Sequence, residues 1–190
     1  MSKPIKILTI LPYKENYTKS KAQAAAIWVY DFLKYSRYKK KNLIIGSTNG
    51  KDYLSKNYLN INIDNLTSKF SSSTIHYCKK IIKKIRHINH DLIEIHNRPL
   101  VFDFLNKSIN KKFILYFHND PLTMKGSVTK NERLSLLRNV EKIIFVSKWV
   151  QNRFFIGLDQ KLINKTEVVY PSINRIKFFP KKKKWITFVG

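Results

Sequence analysis

Residues 91–121 read DLIEIHNRPLVFDFLNKSINKKFILYFHNDP. Two apolar runs of strand length, Asp91–Ile95 and Lys112–Phe117, flank Leu100–Lys107, where apolar residues recur at helical spacing. Pro99 suits the first turn of that helix, because its φ is already helical and its missing N–H would have had no partner there. Each strand closes on a polar cluster: His96-Asn97-Arg98 after the first, His118-Asn119-Asp120 after the second. Strand, helix and strand in so short a span form a crossover unit, and crossover units pair their strands in parallel.

The alternation continues outward on both sides. Toward the N-terminus, Thr74–Asn89 is a basic amphipathic helix with Ile75, Cys78, Ile81, Ile82 and Ile85 on one side. Before it lie an alternating segment at Tyr58–Ile63, read as an edge strand, and a strand at Asn42–Gly46. Further up, KAQAAAIWVYDFLKYS reads as a helix with Ala26, Ile27, Tyr30 and Leu33 on its apolar side and Ser20 as its cap, preceded by a buried first strand, Ile5–Leu11. Toward the C-terminus come a helix near Glu132–Asn139, a strand at Lys142–Val146, a helix capped by Ser147, and a short strand at Glu167–Tyr170 that Pro171 ends. The pattern predicts an α/β protein with a Rossmann-like parallel sheet and helices on both faces. Residues 1–171 are expected to form this domain, and 172–184 a basic linker. Residues 185–190, WITFVG, are expected to be the first strand of a second domain that is cut short, so a two-domain function is expected to be incomplete in this chain.

Composition narrows the class. The chain has 190 residues, 43% of them hydrophobic and 13% aromatic, enough for one sizeable core. One cysteine excludes an intrachain disulfide and Cys-based zinc sites, and suits a reducing, cytoplasmic setting. No apolar run reaches the roughly 20 residues of a membrane span. The formal charge is +25, from 37 basic and 12 acidic residues. It has three readings: the codon bias of an AT-rich genome, an anionic membrane surface, or nucleic acid. The basic residues are spread along the chain and no nucleic-acid motif accompanies them, which argues against the last.

In open parallel sheets, ligands bind outside the carboxyl ends of the strands. The polar clusters fall there: the loop Tyr13–Ser20, His96–Arg98, His118–Asp120, and Ser147–Lys148. Each has a plainer alternative. His118 can simply close a strand, and Asp120, before a proline, can form a turn. Arg98 can bind a phosphate or carboxylate bidentately or make a surface ion pair. Glu94 is a candidate buried partner for one of the histidines. Lys125, Ser127 and Thr129 sit in a loop that is either solvated or ordered by substrate. Trp28 and Trp149 fall at helix positions suited to core packing.

The segments IKILTILP, DLIEIHNRP, FILYFHNDPLTMKGS, KIIFVSKWVQNRF, TEVVYPSIN and WITFVG, in that order, resemble the N-terminal half of a GT-B glycosyltransferase of the retaining family 4. The stretch from His118 to Val150 is most similar to bacterial transferases that build lipopolysaccharide and other cell-surface glycans. The resemblance implies an acceptor-binding half of an enzyme that moves a sugar from a nucleotide-sugar co-substrate to a glycan or glycolipid. It implies no cofactor and no metal, and a cytoplasmic location, peripheral at the inner face of the membrane. His118 matches the family's reaction-centre histidine. Asn119, Asp120, Arg98, His96, Asn97 and Lys125 are then the acceptor-side residues, and Tyr13, Lys14 and Lys19 the donor-phosphate loop. This loop departs from the family, which often carries a Gly-Gly pair there to bring backbone amides to the phosphate; here lysines stand in as point cations. A stand-alone carbohydrate- or anion-binding module is the alternative from another class, with a basic nucleic-acid-binding domain behind it.

Overall fold

The computed structural model describes residues 5–63 and 72–171. Within them the chain alternates β1 (Ile7–Ile10), α1 (Ala24–Tyr35), β2 (Asn42–Gly46), β3 (Tyr58–Asn60), α2 (Ser73–Ile85), β4 (Leu92–His96), α3 (Pro99–Asn106), β5 (Lys112–Phe117), α4 (Lys130–Asn139), β6 (Lys142–Phe145), α5 (Lys148–Phe154) and β7 (Thr166–Val168). The seven strands form one sheet in the order β3-β2-β1-β4-β5-β6-β7, parallel throughout. The fold is the expected α/β, Rossmann-like one. The strand order reverses between β1 and β4, so right-handed crossovers put helices on opposite faces in the two halves. Accordingly α1 packs on one face, through Ala26 and Val29 against Leu11 and Ile44. The helices α2 to α5 cover the other, where Tyr77, Ile81, Phe102, Leu136 and Phe154 meet Ile93, Ile95, Phe113, Leu115 and Phe145.

Strand residues alternate between faces. In β4, Ile93 and Ile95 enter the larger core, while Glu94 and His96 point to the α1 side. There a chain of hydrogen bonds that converges on Glu94 spans four strands. The Asn42 amide donates to Thr9 Oγ1 at 2.8 Å, Thr9 donates to Glu94 Oε2 at 2.7 Å, and the Tyr116 hydroxyl donates to Glu94 Oε1 at 3.3 Å. Burial pushes the Glu94 carboxyl above its usual range, and the two donated bonds pull it partly back. Its partners are therefore Thr9 and Tyr116, not the histidines that the sequence pointed to.

Several local expectations are corrected. Ser20 does not cap α1: the cap position is Gln23, and the Ser20 N–H is instead bound to Asp52 Oδ2 at 3.0 Å in a loop that runs past the expected start. Ser127 is buried rather than solvated, donating to Pro121 O at 2.6 Å, and Thr129 closes a capping box with Glu132 at the start of α4. Ile27 and Trp149 are exposed, at 46% and 59%, where packing was expected. Ser147 does cap α5, accepting from the Val150 N–H at 3.2 Å. The linker at 172–184 and the strand at 185–190 lie outside the described residues. Among the described residues no helix is long and apolar enough to cross a membrane.

Candidate functional site

The ends of β4 and β5 are tied together by one residue. Asn97 follows β4 with a left-handed φ of 55°, a region that asparagine enters more readily than most side chains. Its Oδ1 accepts from the backbone N–H of His118 at 2.9 Å and of Asn119 at 3.3 Å, while its own N–H donates to Tyr116 O at 2.8 Å. The Arg98 guanidinium folds back to donate to Asn97 O at 2.8 Å. This clamp brings two imidazoles into contact: His96 Nδ1 and His118 Nε2 are 2.9 Å apart. One must donate and the other accept, which two neutral rings can do and two cations cannot. Burial drives the same way, lowering His118 to about 4 and His96, with His118 beside it, well below the usual range. The Tyr116 ring stacks on His96 at 4.4 Å, and Trp28 of α1 closes over the pair, with its ring 5.3 Å from His118 and edge-on to it.

An open groove of about 450 Å³ runs from this pair along α1. Trp28, Asp31 and Phe32 form one wall, His118, Asn119 and Val146 the floor, and Tyr170 the far side. A second cavity of about 550 Å³ opens over the ends of β1 and β2, with Tyr13, Lys14, Asn16, Asn49 and Asn62 around it. Lys14 is exposed there with a φ of 65°, the conformation that glycine would take without strain, so the loop keeps a glycine-like turn but carries a cation.

The residues singled out in the sequence thus separate into groups. His96, Asn97, His118 and Asn119 come together at the sheet edge. Asp120 lies beside them, but its carboxylate is engaged: Oδ1 accepts from the Leu122 N–H at 3.0 Å, and Oδ2 receives Arg153 Nη2 at 2.8 Å. The hydrogen bond from Arg153 holds that carboxyl below its usual range. Tyr13 and Lys14 meet at the second cavity. Lys19 is exposed further along the loop, its N–H bound to Asp52 O at 2.9 Å, and Lys125 is exposed on the loop before α4. The sequence reading missed Trp28, Asp31, Phe32 and Tyr170 as site residues. The available signal was a second stripe on α1, Ala24-Ile27-Trp28-Asp31-Phe32, beside the one that faces the sheet. Among the described residues no three His, Cys, Asp or Glu side chains are grouped to hold a metal ion.

No protein-family model matches the chain, and no curated protein sequence matches it significantly. Solved structures do match its backbone. HepE of Anabaena in complex with UDP aligns with a TM-score of 0.60 at 16% identity, over 90% of this chain and 45% of HepE. A glycosyltransferase from Rickettsia africae aligns at 0.58 and 17%, over 90% and 44%. Sucrose-phosphate synthase of Thermosynechococcus elongatus aligns at 0.56 and 12%, over 87% and 48%. The chain spans less than half the length of each. At such identities the likeness is one of architecture: the chain has the Rossmann-like α/β fold of these GT-B neighbours.

Proposed function

We propose that this chain is the acceptor-side unit of a retaining glycosyltransferase that moves a sugar from a nucleotide donor onto a cell-envelope glycan or glycolipid such as lipopolysaccharide. The observation that carries the reading is the uncharged His96–His118 pair, buried at His96 and half-buried at His118, beside an open groove at the carboxyl edge of the sheet. Glycosyl transfer builds positive charge on the sugar ring in an oxocarbenium-like transition state. An imidazolium at that point would oppose it; a neutral imidazole bonds a sugar hydroxyl without doing so. HepE was solved with UDP and with UDP-glucose, which supports a nucleotide-sugar as co-substrate here.

In this reading His118 contacts the transferred sugar, with His96 as its hydrogen-bonded partner. Asn119 and Lys125 meet the acceptor. Asn97, Arg98 and Asp120 act on it through the loop they hold. Tyr13, Lys14 and Lys19 offer the donor phosphates a hydroxyl and two cations, and the remainder of the nucleotide sits on a second unit. The isolated chain is then a partial catalyst at most. The reaction needs no further cofactor. The +25 charge suits an anionic membrane, which supports a cytoplasmic location at the inner face, where lipid-borne acceptors would lie. The test is acceptor-dependent release of nucleoside diphosphate by the complete transferase, over a panel of nucleotide-sugars and envelope glycans, with the product's anomeric configuration read by NMR. Release that ignores the acceptor contradicts the reading. Glycan binding with no transfer from any donor would favour the stand-alone binding module instead.

A further inference from the structure

The groove beside His118 has two chemistries. Its α1 wall is aromatic: Trp28 and Phe32, one turn apart, hold their rings parallel to within 6° at 5.0 Å, and Phe32 is 48% exposed. Tyr170, on the far side, is 64% exposed. The floor and one flank carry hydrogen-bonding groups: Asp31 one turn on from Trp28, Asn119 after β5, and the uncharged His118. We propose that this groove is a subsite for a neutral pyranose ring, which lays its apolar C–H face on Phe32, the more exposed ring of the Trp28–Phe32 stack, and turns its hydroxyls to Asp31, Asn119 and His118.

A pyranose is amphipathic in this same sense, with axial C–H bonds on one face and hydroxyls around the edge. Sites for small molecules are mostly apolar, with a few placed polar groups that fix orientation. About 450 Å³ lies within the usual 300–1,000 Å³ of such sites and leaves room for a ring with its glycosidic neighbour. An alkyl chain would use the aromatic wall but leave Asp31, Asn119 and His118 facing it without partners, a cost of desolvation with no return. An anionic sugar would meet the Asp31 carboxylate, which faces a neutral hydroxyl at no such penalty. The inference deepens the transferase reading by naming the acceptor's chemistry, and it rests on that reading only in calling the bound sugar an acceptor. It moves ring recognition away from Asp120, whose carboxylate is engaged within the protein, to α1.

The binding test needs no turnover. The chain is titrated with methyl glucopyranoside and methyl mannopyranoside, with sorbitol as an open-chain polyol and hexanol as an alkyl probe. Proton–nitrogen correlation spectra follow the Trp28 indole, and saturation transfer reports on the ligand. The pyranosides are expected to shift Trp28 and receive transfer at their ring C–H protons, with affinity on the order of millimolar. Phe32→Ala, at a half-exposed position that the fold tolerates, should weaken binding about tenfold, and Asp31→Asn should weaken it less. Equal binding of sorbitol, shifts by hexanol and not by the pyranosides, or unchanged affinity in Phe32→Ala would overturn the inference. Pyranoside binding without transfer activity would sink the transferase reading and leave the subsite. Transfer activity with no pyranoside response at Trp28 would do the reverse.

Discussion

Two residues at the sheet edge carry most of the site, and each makes a measurable claim. Asn97 holds a left-handed turn and satisfies two N–H groups of the neighbouring strand end. Asn97→Ala removes both bonds and strains the backbone, and is expected to cost about 2–4 kcal/mol. Asn97→Gly keeps the turn and should be milder by about 1 kcal/mol, as urea unfolding would show; equal losses would mean that the turn is unstrained. His118 makes a claim about pH. The unfolded chain protonates it near 6.5 and the folded chain only near 4, because burial disfavours the cation. Between those values the unfolded state binds more protons, so this contribution to stability is full above about 6.5 and falls as pH drops toward 4. His96 acts in the same sense and buried Glu94 in the opposite one. The clean readout is therefore the difference between wild type and His118→Gln, whose unfolding midpoint should depend less on pH across that window. A parallel pH dependence would mean that His118 is solvated. In the sequence His118 and Asn97 stood out as polar residues ending apolar strands. That Asn97 spends its amide oxygen on the backbone was hidden, because it depends on the pairing of β4 with β5 and on one backbone angle.

At the scale of elements, the loop after β5 is set by buried polar anchors. Arg133, on the first turns of α4, is almost wholly buried, donating to the carbonyls of Ser127, Val128 and Ile156. It joins the site loop to the turn after α5, and Arg153 joins α5 to Asp120 from the other side. Arg133→Leu would leave three carbonyls, one buried and two part-buried, without that donor and is expected to destabilise by about 3 kcal/mol. Arg138→Leu, on the exposed side of α4, should stay within about 0.5 kcal/mol. Comparable effects of the two in thermal unfolding would contradict this account of the loop. An arginine in a polar stretch reads as a surface residue, so nothing in the sequence signalled this anchor. The strands were legible because parallel strands buried on both faces are continuous apolar runs, as in FILYF. Helix ends were less so: Ser20 has the right residue type for a cap, but tertiary contacts with Asp52 draw it into the loop. The helix α1 is apolar on two sides, and periodicity alone does not say which side meets the sheet.

For the whole molecule, alternation along the chain was enough to give the sheet's class and direction, and the gathering of polar strand ends at one edge followed from it. The groove did not follow, because it depends on how far α1 stands from β5–β7. Net charge acts at this scale too. The chain is expected to bind anionic vesicles and to release them with added salt, because surface attraction is screened over a Debye length of about 8 Å at physiological ionic strength. Equal sedimentation with neutral vesicles would remove the membrane from the proposal, and tighter binding to duplex DNA would replace it with nucleic acid. The central claim, that His118 stands at the reaction centre of a sugar transfer, is tested most directly by steady-state kinetics of His118→Ala in the complete transferase, with His87→Ala in the exposed turn after α2 as control. A group that acts chiefly in the transition state lowers kcat with little change in KM. His118→Ala is expected to lower kcat by about 10²–10³ and leave the KM for the nucleotide-sugar near wild type, with His87→Ala silent. Wild-type kcat in a folded His118→Ala protein would contradict the claim and make His118 a structural strand end.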